Sequence, residues 1–168
     1  MDNDASRALT PTGHTQNCTV ARQWIERLER MPICFCSPYL RARQTADDLQ
    51  ALIPELEFQS RDWLVPSTAA VAVLEELVAI TERGSGTQAV AGTANGTGAR
   101  NGARDDSSNT GETDILLVGH NPVLSEVWNL LLEGEGYLRF GLSTSHLVCI
   151  DSTVFAPACG SFIYTVTP

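Results

Sequence analysis

Lysine is absent: all eleven basic side chains are arginine, against twenty acidic ones, giving a net charge of −9. So acidic a chain offers no basic face to a phosphate backbone, and neither nucleic acid nor an anionic membrane surface is expected as a partner. Any anion site must then be built from arginine, histidine or backbone N–H groups. Long apolar runs are missing too. No window of about 18 apolar residues exists, so no transmembrane helix is expected. The first residues, MDNDASRALTPTG, are polar and acidic and lack the basic and apolar regions of a signal peptide. Cysteine is scarce: five residues, an odd number, without metal-ligand spacing. Disulfides and zinc are not expected, and buried free thiols in a reducing cytoplasm are. Cys34 and Cys36, two apart, fall on one face of a strand.

What is present suffices for one domain: 168 residues, 43% of them apolar, enough for a real core. Residues 84–113 are nearly all Gly, Ala, Thr, Ser, Asn and charge. Too little apolar surface is available there to offset the entropy of ordering, so a disordered low-complexity insert within one domain spanning 1–168 is expected. Deleting 84–113 should leave the thermal unfolding transition in place; its loss would contradict the loop reading.

Elsewhere strands and helices alternate. Thr10 can cap a first helix, with Pro11 at its first position and Cys18, Ala21, Ile25 and Leu28 at helical spacing. ICFC (33–36) reads as a buried strand, Ser37-Pro38 as the cap and start of a second helix, and EFQS (57–60) as a short strand. A third helix is expected over 67–83, with Val71, Leu74, Leu77, Val78 and Thr81 as its stripe. ILLV (115–118) reads as a strand, 122–132 as a helix, and SHLVCID and SFIYTV (145–151 and 161–166) as final strands able to form a hairpin. The pattern predicts a three-layer α/β/α sandwich around a mostly parallel sheet.

Two strand-to-helix junctions share one design. ICFC runs into Ser37-Pro38-Tyr39-Leu40-Arg41, and ILLV into Gly119-His120-Asn121-Pro122. In a parallel sheet such junctions open on one edge, where ligands bind. Helix N-termini there favour anions. Arg41, on the first turn, leans back toward the same mouth, and its fork suits phosphate oxygens. His120 adds a further polar group. Taken singly, a histidine after a strand also serves as a cap or packing residue, and an arginine on a first turn as a solvated charge. From the pattern alone both readings stand.

SPYLRARQTADDL (37–49), LLVGHNPVLSEV (116–127) and RALTPTGHTQ (7–16) resemble, in that order, motifs of the histidine phosphatase superfamily. The likeness covers the chain outside 84–113, and its short connections are most similar to the SixA-type phosphohistidine phosphatases. It implies a phosphoglycerate mutase-like fold and a covalent mechanism: a histidine attacks phosphorus, and water hydrolyses the phosphohistidine formed. Two arginines and a second histidine surround the phosphoryl group. By this resemblance Arg41 matches one phosphate-binding arginine and His120 the second histidine, and both are the expected catalytic and substrate-binding residues. Asp4 falls where SixA-like chains often carry an acidic residue. No metal or other cofactor is implied, since arginine and histidine do the work of ions.

One motif is missing. The family begins with a strand ending in Arg-His-Gly, which supplies the other arginine and the nucleophile, and the 168 residues contain no such triplet. The sheet is therefore expected to lack its first strand, and the natural chain to begin upstream of Met1. His14, inside the first helix, is no substitute, and His146 is expected to be structural. Three functions follow as expectations: a cytoplasmic phosphatase acting on a phosphohistidine-bearing protein, a small-molecule phosphomonoesterase, or a non-catalytic phosphate- or phosphoprotein-binding pseudo-phosphatase. Glu55 and Glu57 lie where larger relatives carry a glutamate acid.

Overall fold

The computed structural model describes residues 4–85, 113–134 and 141–168. Nearly all of the expected insert lies outside them. Helix α1 (Pro11–Ile25) starts as its sequence dictates: the Thr10 hydroxyl accepts from the Gly13 N–H at 3.1 Å and Pro11 holds the first position. Strand β1 (Ile33–Cys36) leads to α2 (Leu40–Leu52), and β2 (Phe58–Ser60) to a short 3-10 turn at Asp62–Leu64. Helix α3 (Ala70–Ser85), strand β3 (Ile115–Val118) and helix α4 (Val123–Glu133) follow, then β4 (Leu147–Ser152) and β5 (Gly160–Val166).

Three parallel strands form a sheet in the order β2-β1-β3, and β4 and β5 pair as a separate antiparallel hairpin. Helices cover both faces of the parallel sheet. On one side Ala21 and Trp24 of α1 and Ala42, Ala46 and Leu49 of α2 pack on Cys34, Cys36 and Val118. On the other, Val73, Leu74 and Leu77 of α3 and Val123, Val127 and Leu130 of α4 pack against Ile115 and Leu117. The alternation along β3 follows from the two-residue period of a strand. Burial lifts the Cys34 thiol to about 11 and raises Cys36 as well, so both are inert apolar fillers. Among the described residues, no helix is long and apolar enough to cross a membrane.

Three local expectations are corrected. Helix α3 begins at Ala70, where the Ala69 carbonyl accepts from the Ala72 and Val73 N–H groups after a turn over residues 65–68, and it runs on through Ser85. Its buried stripe is Ala70, Val73, Leu74 and Leu77, while Val71 is 55% exposed. Both prolines stand outside their helices: α2 opens after Tyr39, and Pro122 is the residue before α4.

Between β3 and β4 the sheet layer is open. A cavity of about 630 Å³ is lined by all four β3 residues and by Leu147, Val148 and Ile150 of β4. Val20 and Leu49 close it from one helix layer, Leu77, Val127 and Leu131 from the other. Its lining therefore includes both faces of β3, which makes it a slot along strand edges.

Candidate functional site

The slot opens at the C-terminal ends of β1 and β3, where the two junctions meet. The Ser37 N–H donates to the Val118 carbonyl at 2.8 Å, which locks one junction to the other. Gly119 lets the second one turn: a Cβ there would sit 3.3 Å from the Leu64 carbonyl oxygen. His120 follows, only 7% exposed, with its Nε2 2.8 Å from Oγ of the fully buried Ser37. The Tyr39 ring lies 5.1 Å from the imidazole, and the Arg41 guanidinium stands 5.2 Å from the Tyr39 ring.

Arg41 is the second residue of α2, and its side chain is 16% exposed. Both terminal nitrogens reach Asp4: Nη1 donates to its carbonyl at 2.8 Å and Nη2 to its carboxylate at 3.0 Å. The other Asp4 oxygen lies 3.2 Å from Arg7 Nε. Arg7, Arg41 and His120 line one cavity.

Burial pushes the His120 pKa down to about 4, with the positive charges of Arg41 and Arg7 acting in the same direction and Asp4 opposing. The imidazole is therefore neutral at pH 7, an acceptor on one nitrogen and a donor on the other. A phosphoryl dianion placed beside it would favour its protonated form. The folded-state value lies below the unfolded one of about 6.5, so the unfolded chain takes up the proton first. His120 should therefore lose stability for the protein as pH falls from about 6.5 toward 4, with none lost above that window. Thermal unfolding from pH 7.5 to 4.5 measures this. His120→Gln should flatten the pH dependence, and an unchanged slope would show that other groups control it.

The structure brings Arg41 and His120 to one mouth; His146 also lines the cavity, from its β4 side, and His14 does not. His14 Nδ1 lies 2.9 Å from Asp48, whose carboxylate also accepts from Asn17 at 2.8 Å. This network ties α1 to α2. His146 precedes β4, contacts the Thr165 hydroxyl and meets the edge of Trp128. Glu55 and Glu57 are exposed and do not line the cavity.

Ser37 was expected to cap α2. Instead it holds His120, and α2 has no side-chain cap. Its signal lay in the matched junctions, where it occupies the place opposite Gly119-His120. Arg7 has no comparable signal, because a turn rather than a helix or strand carries it to the site.

No protein-family model matches the sequence, and no curated protein is similar to it. Solved structures are. The protein histidine phosphatase SixA, determined with tungstate, matches at a TM-score of 0.70 and 20% identity, over 100% of this chain and 88% of that one. A structure assigned as phosphohistidine phosphatase SixA from Agrobacterium tumefaciens matches at 0.67 and 19%, over 99% and 87%. Another so assigned, from Nakamurella multipartitia, matches at 0.66 and 17%, over 100% and 88%. An open parallel sheet between two helix layers, with both junctions at one mouth, is thus the fold of the solved SixA structures.

Proposed function

We propose that the protein is a phosphatase that removes phosphate from phosphohistidine in a cytoplasmic protein partner, acting as a single domain. One observation carries the reading: a buried neutral His120, held by Ser37, faces the same mouth as Arg41 in a SixA-like fold. Arg41 and His120 are the catalytic and substrate-binding residues in this reading. In this reading the attacking histidine would be that of an Arg-His-Gly strand, for which the slot beside β3 offers a place. Its ring nitrogen bonds to phosphorus as the P–N bond of the substrate breaks, and the substrate imidazole leaves and takes a proton. Water then attacks the phosphorus, the P–N bond to the attacking histidine breaks, that imidazole takes a proton from the water, and phosphate leaves. Arg41 offsets the charge on the equatorial oxygens. Imidazole is readily protonated, so a strong dedicated acid is less needed than for an ester. The exposed Glu55 and Glu57 agree with that.

A second reading rests on Arg41 and His120 at one mouth alone: a module that binds phosphate or a phosphoprotein without turnover. The test extends the chain ahead of Met1 by a four-residue apolar strand ending in Arg-His-Gly. This protein is assayed on a phosphohistidine-bearing phosphotransfer protein and on a small phosphomonoester. Hydrolysis of the first alone supports the proposal. Hydrolysis of the ester alone points to a small-molecule phosphomonoesterase, and binding without turnover to the module.

A further inference from the structure

One arm of the Arg41 fork is already held by an anion and the other by a backbone carbonyl. Both of its terminal nitrogens donate to Asp4, one to the carbonyl and one to the carboxylate. A phosphoryl group presents anionic acceptor oxygens like the one the Asp4 carboxylate places on Nη2, and a further oxygen for Nη1. The two partners differ in burial: the Asp4 side chain is 56% exposed and that of Arg41 16%. The cation therefore belongs to the wall and the carboxylate to the solvent side, where such pairs are weak. Asp4 sits in a 3-10 turn of three residues, Asp4–Ser6, with none of them buried. The free side of its carboxylate holds Arg7, which lines the same cavity as His120.

We propose that Asp4 is a displaceable internal anion and that Arg7 is a second phosphate-binding guanidinium held ready by it. A phosphoryl group takes the place of the Asp4 carboxylate on Arg41. Arg7, released from Asp4, turns to the same phosphoryl oxygens. The exchange swaps one anion for another on Arg41, so no guanidinium is left unpaired at any stage. The inference rests on the proposal that the Arg41–His120 corner receives phosphoryl groups, and its test separates the two. The depressed pKa of His120, to which both arginines contribute, agrees with Arg7 lying within electrostatic reach of the site.

The experiment titrates inorganic phosphate into the full chain by calorimetry, in wild type and in Asp4→Asn, Arg7→Ala, Arg41→Ala and Asp47→Asn. Asp47 is an exposed acid on the same helix that lines a different cavity, and it controls for a general change of charge. Asp4→Asn should bind phosphate about fivefold tighter, the release of one exposed pair. Arg7→Ala should bind about tenfold more weakly, the loss of one charge-assisted hydrogen bond. Asp47→Asn should match wild type. If Arg41→Ala loses binding while Asp4→Asn and Arg7→Ala match wild type, the exchange is overturned and the phosphoryl site stands. An equal gain in Asp47→Asn and Asp4→Asn overturns it too. If Arg41→Ala binds as wild type does, or if neither wild type nor Asp4→Asn binds, the phosphoryl site fails and the exchange with it.

Discussion

Extended ahead of Met1 by four apolar, β-branched residues and Arg-His-Gly, the protein is expected to unfold roughly 10 °C higher than the 168-residue chain. Burying one valine or isoleucine side chain contributes about 1.5–3 kcal/mol. Ordering one residue costs about 1–2 kcal/mol of backbone entropy. The strand would also pair two edges that are free among the described residues, those of β3 and β4. Over seven residues burial and ordering nearly cancel, and hydrogen bonds to the two edges, at about 0.5–1.5 kcal/mol each, leave a net gain of about 3 kcal/mol, worth roughly 10 °C in a domain of this size. The same extension ending in Arg-Ala-Gly should stabilise equally and show no turnover, because the slot reads the strand and the chemistry reads the histidine. Scanning calorimetry and a phosphohistidine assay measure the two effects separately. An unfolding temperature unmoved by either extension would show that the slot does not accept a strand.

Arg41→Ala should weaken phosphate binding by roughly 100-fold, and Arg41→Lys by more than about tenfold. The guanidinium presents two donors in one plane, as its two bonds to Asp4 show. Lysine keeps the charge but not the fork. Two charge-assisted hydrogen bonds at about 1.5–3 kcal/mol each set the scale. Calorimetric titration gives the affinities, and circular dichroism checks the fold. Arg41 begins a helix whose packing rests on Ala42, Ala46 and Leu49, so the variants should fold. Affinity in Arg41→Ala equal to wild type would remove Arg41 from the site.

Local chemistry made much of the fold legible. Thr10-Pro11 starts α1 where the rules of capping put it. ICFC and ILLV are short apolar runs ahead of turn residues, and both form strands that pair residue by residue, Ile33 with Ile115 through Cys36 with Val118, though Ile33 is exposed and only Val118 of ILLV is buried. The offset stripe of α3 was not legible, because Val71, Val73 and Leu74 are equally apolar and only the position of α4 selects among them.

The site divides in the same way. That Arg41 and His120 would share one edge was legible because each lies in a junction from a strand to a helix, and parallel strands end on one edge. Their company was not. Ser37 reads as a helix cap until β1 and β3 are side by side and its hydroxyl meets His120. Asp4 and Arg7 reach the mouth through a turn whose direction no periodicity encodes. The slot is likewise invisible in any local stretch, since its walls come from β3, β4 and four helices far apart in the chain. By itself the sequence determined the elements, their order and the two residues that strands place at one edge, because hydrogen bonding and apolar period act over neighbouring residues. Only the tertiary structure decided which side chains share the mouth, how far His120 is buried and that a slot lies beside it, because those depend on packing between segments.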